Sequence, residues 1–297
     1  MNREKQSAAL TSLAAAIALT TFKIVVGWST GSLGILAEAA HSGLDLIAAL
    51  MTVFAIRWAE RPADATHPYG HGRIETVSAL FETMLLIVTC GWIVNEAVRR
   101  LWGGQIDIEV NVWSFTVVLT SIVVDVSRSR VLAKAAEKFK SEALEADALH
   151  FRTDIWSSSV VLLGLICVTI AHRWPALTIL ESADAIAALF VAGITLYVSL
   201  RLGIRTVHAL IDTVPPDLQR RIQGTAEGIP GVLDCHNIRI RYVGAVPIVD
   251  VHATLDGNQT LREAHDLTER IEAAIQTVVP DADVTVHAEP DDPAAKR

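Results

Sequence analysis

Two copies of one motif place a histidine four residues before an aspartate in apolar parts of the chain. They are His41-Ser-Gly-Leu-Asp45 and His150-Phe-Arg-Thr-Asp154. Residues four apart share one face of a helix, so two such helices facing each other would bring two imidazoles and two carboxylates to one point. That is a tetrahedral ligand set of the kind that holds Zn²⁺ at about 2.0–2.2 Å per bond. The spacing therefore predicts a site for a divalent metal ion.

The apolar surroundings of both motifs strengthen this interpretation. A carboxylate at the middle of a membrane costs about 2.5–3.5 kcal/mol on insertion scales, and ionisable residues inside membranes are commonly functional. The alternative is a polar clamp between helices, for example from His41 to Asp154, that binds no metal. Because the same spacing occurs twice, we favour the metal site.

The composition indicates a chain that is partly in a membrane and partly in water. Of 297 residues, 51% are hydrophobic and 20% are charged, whereas soluble domains average about 25% charged residues. Yet 33 acidic residues, 25 basic residues and 10 histidines are too many for a chain buried in lipid throughout. A net charge of −8 argues against nucleic acid as a partner. Three cysteines, an odd number, exclude a disulfide framework.

Six apolar segments have the length of about 20 residues that a membrane-spanning helix needs. They are Ala8–Trp28, Ser32–Trp58, Thr76–Val98, Val110–Val131, Leu149–Ala171 and Ala183–Leu202. Basic residues are concentrated before the first segment, between the second and third, and between the fourth and fifth, whereas the alternate connections are short or mixed in charge. The positive-inside rule therefore predicts that both termini are cytoplasmic.

A small α+β domain is predicted after the last apolar segment. Pro215-Pro216-Asp217 is typical of a helix start. Strands are expected at Asn237–Val243, Val246–Leu255 and Asp283–His287, with an amphipathic helix at Leu261–Val278 between the second and third. The resulting order is αββαβ, as in ferredoxin-like domains. We therefore divide the chain into a six-helix transmembrane domain (1–211), a cytoplasmic domain (212–290) and a tail (291–297).

Three segments resemble the cation diffusion facilitator family, in its bacterial zinc and iron branch. They are SLGILAEAAHSGLDLIAAL, PADATHPYGHGRIE and EADALHFRTDIWSSSVVLLGL. Members are homodimeric membrane transporters that exchange divalent metal ions for protons. Carried over to this chain, the resemblance places the transported ion at His41, Asp45, His150 and Asp154. In this family a His/Asp pair on both helices goes with zinc, whereas Asp in place of the first His widens the choice to iron and cadmium. Family members that transport manganese have Asp-rich ligand pairs on these helices.

The resemblance implies two further metal sites. Asp64, His67 and His71 match the family's loop site; from the residues alone, a solvated loop with two histidines is the alternative. A two-metal cluster at the interface of the cytoplasmic domains is implied at His236, His252, His265, His287 and Glu289. The family has Asp where this chain has Glu289, so a bridge between two metals there stays open. Cys235 is expected to be a small strand residue rather than a thiolate ligand.

Other charged residues receive structural interpretations. Arg73 and Asp212 match family positions that form an ion pair; two unrelated exposed charges are the alternative. Lys23 in the first helix is expected to snorkel towards the membrane surface. Glu38 and Glu82 could line an access path for the ion or make simple polar contacts, and we favour the polar contacts.

These features predict a proton-coupled antiporter, not an enzyme, that exports divalent metal cations across the plasma (inner) membrane. Zn²⁺ is the expected ion, and Fe²⁺, Co²⁺, Cd²⁺ or Mn²⁺ are the alternatives. The chain contains no nucleotide-binding motif, so a gradient must drive transport. The expected partners are metal ions, protons, membrane lipid and a second copy of the chain. A membrane-anchored metal sensor and a metal-dependent intramembrane enzyme are the remote alternatives, and the second lacks a recognisable nucleophile and base.

Overall fold

The computed structural model describes residues 3–101, 112–173 and 179–291, which divide into two compact units. Residues 1–61 and 74–206 form the first unit, and residues 62–73 and 207–297 form the second. The short segment 62–73 joins two long helices of the first unit but packs with the C-terminal residues. The loop that carries one of the predicted metal sites thus belongs to the second unit.

Long α-helices build the first unit. They are α1 (Arg3–Thr30), α2 (Leu33–Ala59), α3 (Arg73–Leu101), α4 (Val112–Phe139), α5 (Glu142–Arg173) and α6 (Ile179–Leu210). Helix α2 begins where its N-cap residue, Ser32, accepts a hydrogen bond from the backbone N–H of Ile35, which satisfies one of the free donors of the first turn. Many large apolar side chains on the helices point outward, as expected for contact with lipid.

Four helices of the described chain are long and apolar enough to cross a membrane. They comprise α1, Glu38–Ala59 of α2, Arg73–Asn95 of α3 and Leu189–Leu210 of α6. The first unit is therefore a helical transmembrane domain. Helices α4 and α5 have matching lengths but carry more charged residues, such as Asp125 and Arg128. That α4 and α5 also span the membrane, giving the six spans expected from the sequence, stays a prediction.

A cluster of apolar side chains joins α1, α2, α4 and α5. Its fully buried members include Ile56, Leu132, Leu144 and Phe151, surrounded by alanines that allow close approach of the helices. Because α2 and α5 share this cluster, the faces that carry the two His-x-x-x-Asp motifs are held side by side.

The second unit contains the αββαβ order that the sequence predicts. Its elements are α7 (Pro216–Glu227), β1 (Val232–Val243), β2 (Val246–Leu255), α8 (Leu261–Val278) and β3 (Asp283–Pro290). Strand β2 lies in the middle, antiparallel to β1 and parallel to β3. The parallel pair needs a crossover, which α8 supplies. A capping box between Thr260 and Glu263 begins α8, and Val249 and Val251 of β2 are buried against Ile271 and Ile275 of that helix.

Several predicted boundaries were wrong. Strand β1 begins at Val232 rather than Asn237, because an irregularity in its pairing between His236 and Arg239 interrupts the alternation of apolar residues. Asn237 has a positive φ of 49° at that irregularity. Helix α5 begins at Glu142, before the apolar segment predicted from Leu149, because its first turn carries the acidic residues Glu142 and Glu145. The predicted start of the fourth helix at Val110, and the tail after Asp291, lie outside the described residues.

Candidate metal centres

The two His-x-x-x-Asp motifs meet where α2 packs against α5. The Nε2 atom of His150 lies 3.1 Å from Asp45 Oδ1 and 3.4 Å from Asp154 Oδ2. The Nε2 atom of His41 lies 3.9 Å from Asp154 Oδ1. Ligand atoms of Asp45, His150 and Asp154 all lie within 4.8 Å of one another, and His41 approaches this group through Asp154.

The separations of these donor atoms suit one tetrahedral metal ion. Bonds of about 2.0–2.2 Å place neighbouring ligand atoms roughly 3.4 Å apart, and the three distances lie around that value. The side chains of His150, Asp45, Asp154 and His41 are 2%, 12%, 12% and 26% exposed, so an ion here would be largely shielded from water. Among the described atoms, His150 Nδ1 is buried without a hydrogen-bond partner. The arrangement offers a divalent cation one nitrogen and two oxygen atoms from His150, Asp45 and Asp154, and His41 stands beside them as a fourth ligand after a small shift of its side chain.

Lys23 was wrongly expected to snorkel. It is buried inside the helical unit, and its Nζ atom lies 2.8 Å from Ser42 Oγ and 3.0 Å from Glu38 Oε2. The carboxylate of Glu38 supplies a counter-ion inside the bundle, so the ammonium group does not need to reach the membrane surface. Glu38 thus makes the simple polar contact that was one of its two interpretations.

The loop residues Asp64, His67 and His71 also lie together. His67 Nδ1 is 3.3 Å from Asp64 Oδ1, and His71 Nε2 is 3.5 Å from Asp64 Oδ2. Oδ1 already accepts hydrogen bonds from the side chain and backbone of Thr66 and from the backbone of His67, and these bonds hold the pKa of the Asp64 carboxyl well below its ordinary value. The carboxylate therefore stays ionised, and Oδ2 is the oxygen most available to a metal ion.

This loop is fixed to the turn between β1 and β2 of the same unit. The guanidinium group of Arg241 lies 4.0 Å from the centre of the Tyr69 ring. Gly72 fits against the backbone of the turn so closely that a Cβ atom there would lie 2.6 Å from the carbonyl oxygen of Val243 and 2.9 Å from the nitrogen of Gly244. Only glycine fits this contact without displacement of the backbone.

We expect Gly72→Ala to loosen the loop. Overpacking of this kind costs about 1–3 kcal/mol, so amide hydrogen exchange in residues 62–73 should accelerate by about 5- to 150-fold. Gly224→Ala is the matched control, because a Cβ atom at Gly224 meets no atom within 4 Å. Unchanged exchange in Gly72→Ala would show that the loop does not depend on this contact.

The cytoplasmic cluster is built by strand register. His236 of β1 pairs with His252 of β2, which pairs with His287 of β3, so three histidines lie side by side across the sheet. Glu289 lies 2.7 Å from His252 Nδ1, 3.3 Å from His236 Nε2 and 3.8 Å from His287 Nε2. The hydrogen bond from His252 lowers the pKa of Glu289, which keeps the carboxylate ionised as a metal ligand must be.

His265, which was predicted to belong to the cluster, and Cys235, which was not, both lie outside it in the single chain. His265, on α8, lies away from the others; within the described part of the chain its ion-pair partner is Glu269, at 3.6 Å. The fold of one chain therefore does not bring His265 into the cluster. Cys235 lies in the hydrophobic core, and burial raises the pKa of its thiol to about 11. Its sulfur is thus protonated and packed rather than a ligand.

Sequence reasoning missed residues that orient the histidines. Asp234 Oδ2 lies 2.8 Å from His236 Nδ1, and the side-chain amide of Asn237 lies 3.1 Å from His252 Nε2. Carboxylate partners of this kind fix the ring orientation of metal-binding histidines. Asp234 could have been found from the sequence, because it lies two residues before His236 and residues two apart share a face of a strand.

The ion pair predicted between Arg73 and Asp212 is present within the second unit.

The chain is similar to known proteins over nearly its whole length. Residues 9–211 match the cation efflux transmembrane domain, and residues 214–291 match the cytoplasmic domain of cation efflux proteins. Proteins named cation-efflux pump FieF from Yersinia enterocolitica and Yersinia pestis are 31% and 32% identical to it, and each comparison covers 96% of this chain and 92% of the relative. A solved nickel form of the MamM CTD is 29% identical, covers 26% of this chain and 100% of that one, and has a TM-score of 0.25.

Proposed function

The chain belongs to the cation diffusion facilitator family of cation efflux transporters, and from this we propose that it exports Zn²⁺ from the cytoplasm in exchange for protons. The ion is carried at His41, Asp45, His150 and Asp154. The observation that carries the proposal is the convergence of buried ligand atoms of Asp45, His150 and Asp154 within 4.8 Å of one another, with His41 beside Asp154 at 3.9 Å, where a tetrahedral zinc site needs four ligands. Two imidazoles suit zinc better than the harder Mn²⁺.

In this proposal, a gradient across the membrane supplies the energy for export. Moving charge outward against an interior-negative potential costs about 2.3 kcal/mol per elementary charge per 100 mV. At roughly 150 mV, a divalent ion costs about 7 kcal/mol, and each proton that moves inward returns about half of this. Proton exchange therefore supplies a large part of the driving force before any difference in pH is added.

The two histidines provide the coupling between metal and proton. An imidazole with an unperturbed pKa of about 6.5 must be deprotonated to bind a metal ion, so a proton and Zn²⁺ compete for His41 and His150. Protons that arrive from outside displace the ion, and a site open to the cytoplasm reloads with metal. Rocking of helices around the fixed site would expose it to each side in turn.

Flux measurements in proteoliposomes test the function. The full chain is expected to transport Zn²⁺ faster than Fe²⁺, Mn²⁺ or Cd²⁺, and an opposing proton gradient should accelerate the transport. Flux that does not respond to the pH gradient would contradict proton exchange, and faster flux of another ion would contradict zinc as the substrate. Metal binding without flux would instead favour a sensor.

The cytoplasmic domain is proposed to join two copies of the chain. The cluster of His236, His252, His287 and Glu289 is half exposed on the side of the sheet opposite α7 and α8, where a second copy can approach. His265 would then complete the cluster only through the partner. Light scattering of the full chain with and without Zn²⁺ measures whether the metal cluster joins two copies. A dimer that forms equally well without metal, or after substitution of Glu289, would contradict this role of the cluster.

We expect His41→Asp to change which divalent ion the chain transports preferentially. The substitution replaces a nitrogen ligand with a harder oxygen, which favours Fe²⁺ and Mn²⁺ over Zn²⁺ relative to the native site. The ratio of Zn²⁺ to Mn²⁺ flux should fall about tenfold. Gly43→Ala, on the same helix with free space for a Cβ atom, is the control. An unchanged ratio would show that His41 does not contact the transported ion.

A further inference from the structure

Lys23 of α1 is buried in the helical unit and bonds to α2 within the segment that carries the transport motif. Its Nζ atom lies 2.8 Å from Ser42 Oγ and 3.0 Å from Glu38 Oε2. The Lys23 side chain is 4% exposed, and that of Glu38 is 39% exposed. Lys5 and Arg128, which are also buried, pair with acidic residues of α3 and α4. Among these three cations, Lys23 is the one held against α2.

The partners of Lys23 lie beside the metal ligands of α2. Residues three or four apart in a helix are neighbours, with Cβ atoms about 5–6 Å apart. Glu38 and Ser42 form one row with a spacing of four, and His41 and Asp45 form a second. A step of three joins the rows at both ends, so the four side chains occupy one face of the helix. The Lys23 ammonium group therefore lies next to the ligand pair of this helix.

A second buried contact holds α1 at this place. The Thr20 hydroxyl donates a hydrogen bond to the backbone oxygen of Ser42 at 3.0 Å, and Thr20 precedes Lys23 by about one turn of α1. Both residues of α1 thus bond to Ser42, which is itself buried. The position of the ammonium group is consequently fixed by the packing of two helices and does not depend on a freely moving side chain.

A fixed positive charge beside the ligands opposes a divalent cation. Charges repel strongly when protein rather than water separates them, and the carboxylate of Glu38 offsets part of this repulsion. A transported ion must bind, yet it must also leave, and closed zinc sites in proteins can hold the ion very tightly. A nearby cation is a means of lowering that affinity without removing a ligand.

We propose that Lys23 is an affinity-determining residue of the transport site. Its ammonium group weakens the binding of the divalent ion so that the ion can be released, and Glu38 limits this effect. The inference rests on the proposed function, because it takes His41, Asp45, His150 and Asp154 as the ligands of the transported ion.

Equilibrium binding of Zn²⁺ to the full chain in detergent, measured by competition with a coloured chelator, tests the inference. Asp64→Asn and Glu289→Gln form the background, because they weaken the other two centres. In this background Lys23→Met should tighten Zn²⁺ binding at least about tenfold, and Glu38→Gln should weaken it by a similar factor, since the two substitutions change the local charge in opposite directions. The affinity of the double variant should fall between those of the two single variants.

Two matched controls separate charge from position. Thr20→Val removes the other contact of α1 with Ser42 without changing any charge, and Lys134→Met removes a positive charge at an exposed position of α4. Each should change the affinity less than about threefold. Weaker or unchanged Zn²⁺ binding in Lys23→Met would overturn the inference. An equal effect of Thr20→Val would also overturn it, because the position of α1 would then set the affinity.

Folding and flux are followed separately. Elution profiles and thermal unfolding identify a variant that fails to fold; if Glu38→Gln does so, Lys23→Met and the double variant give the decision. In proteoliposomes, Lys23→Met should lower both KM and kcat for Zn²⁺, because a tighter ion leaves more slowly, and a lower kcat with unchanged KM would contradict the inference. Failure of the proposed function would appear differently, as absence of Zn²⁺ flux in the native chain.

Discussion

Replacing Asp154 with alanine is expected to reduce metal flux at least about 100-fold, since losing even an indirect partner of a metal ligand costs about 10–100-fold. Asp154 is the member of the site that contacts both histidines, His150 at 3.4 Å and His41 at 3.9 Å. Its removal leaves three donors for a tetrahedral ion and takes away one of the two negative charges that balance the dication. The measurement is initial Zn²⁺ uptake into proteoliposomes at matched protein content.

The matched control is Thr153→Ala, at the neighbouring position of α5. Its hydroxyl bonds to the backbone carbonyl of Leu149 in its own helix, so flux should change less than about twofold. The polar-clamp interpretation makes the opposite prediction: if His41 and Asp154 only hold two helices together, Asp154→Ala lowers thermal stability but leaves flux intact. Retained flux with lowered stability would therefore refute the transport site.

The transport motif could be found from the sequence because its information is local. The four-residue spacing in each helix fixes which side chains share a face, and the repetition of the motif indicates that the two faces meet. The distances between His150, Asp45 and Asp154 depend on the apolar cluster around Phe151, which no local pattern specifies. The apolar segment predicted for the fifth helix begins at Leu149, so it does not include Asp147, which is buried near the start of α5.

The cytoplasmic cluster shows the limit of such reasoning on strands. Alternation placed His252 and His287 on polar faces, and the parallel pairing of β2 with β3 then made them neighbours. His236 precedes an irregularity in β1, where alternation stops being informative, and only the register shows that it joins them. His265 lies on α8, away from the sheet face that carries the cluster. The family resemblance named the five residues but could not say which of them one chain brings together.

The second large effect is expected on stability. Arg128→Ala should lower the free energy of unfolding by about 3–5 kcal/mol, the usual effect of removing one member of a buried ion pair. The side chains of Arg128 and Asp125 are 4% and 8% exposed and lie 3.6 Å apart. The Arg128 side chain also donates a hydrogen bond to Ser12 and stacks over the Phe151 ring at 3.5 Å. Its removal leaves the Asp125 carboxylate buried without its cation and weakens the packing between α1, α4 and α5.

A double variant separates the charge from the packing. Thermal unfolding in detergent should show that Arg128→Ala combined with Asp125→Asn recovers part of the loss, because the carboxylate that the first substitution leaves uncompensated is no longer charged. Arg130→Ala, at an exposed position of the same helix, should change stability by less than about 0.5 kcal/mol. If the double variant is no more stable than Arg128→Ala alone, packing on Phe151 carries the effect. The buried acidic groups of the bundle would then not depend on Arg128 for their charge balance.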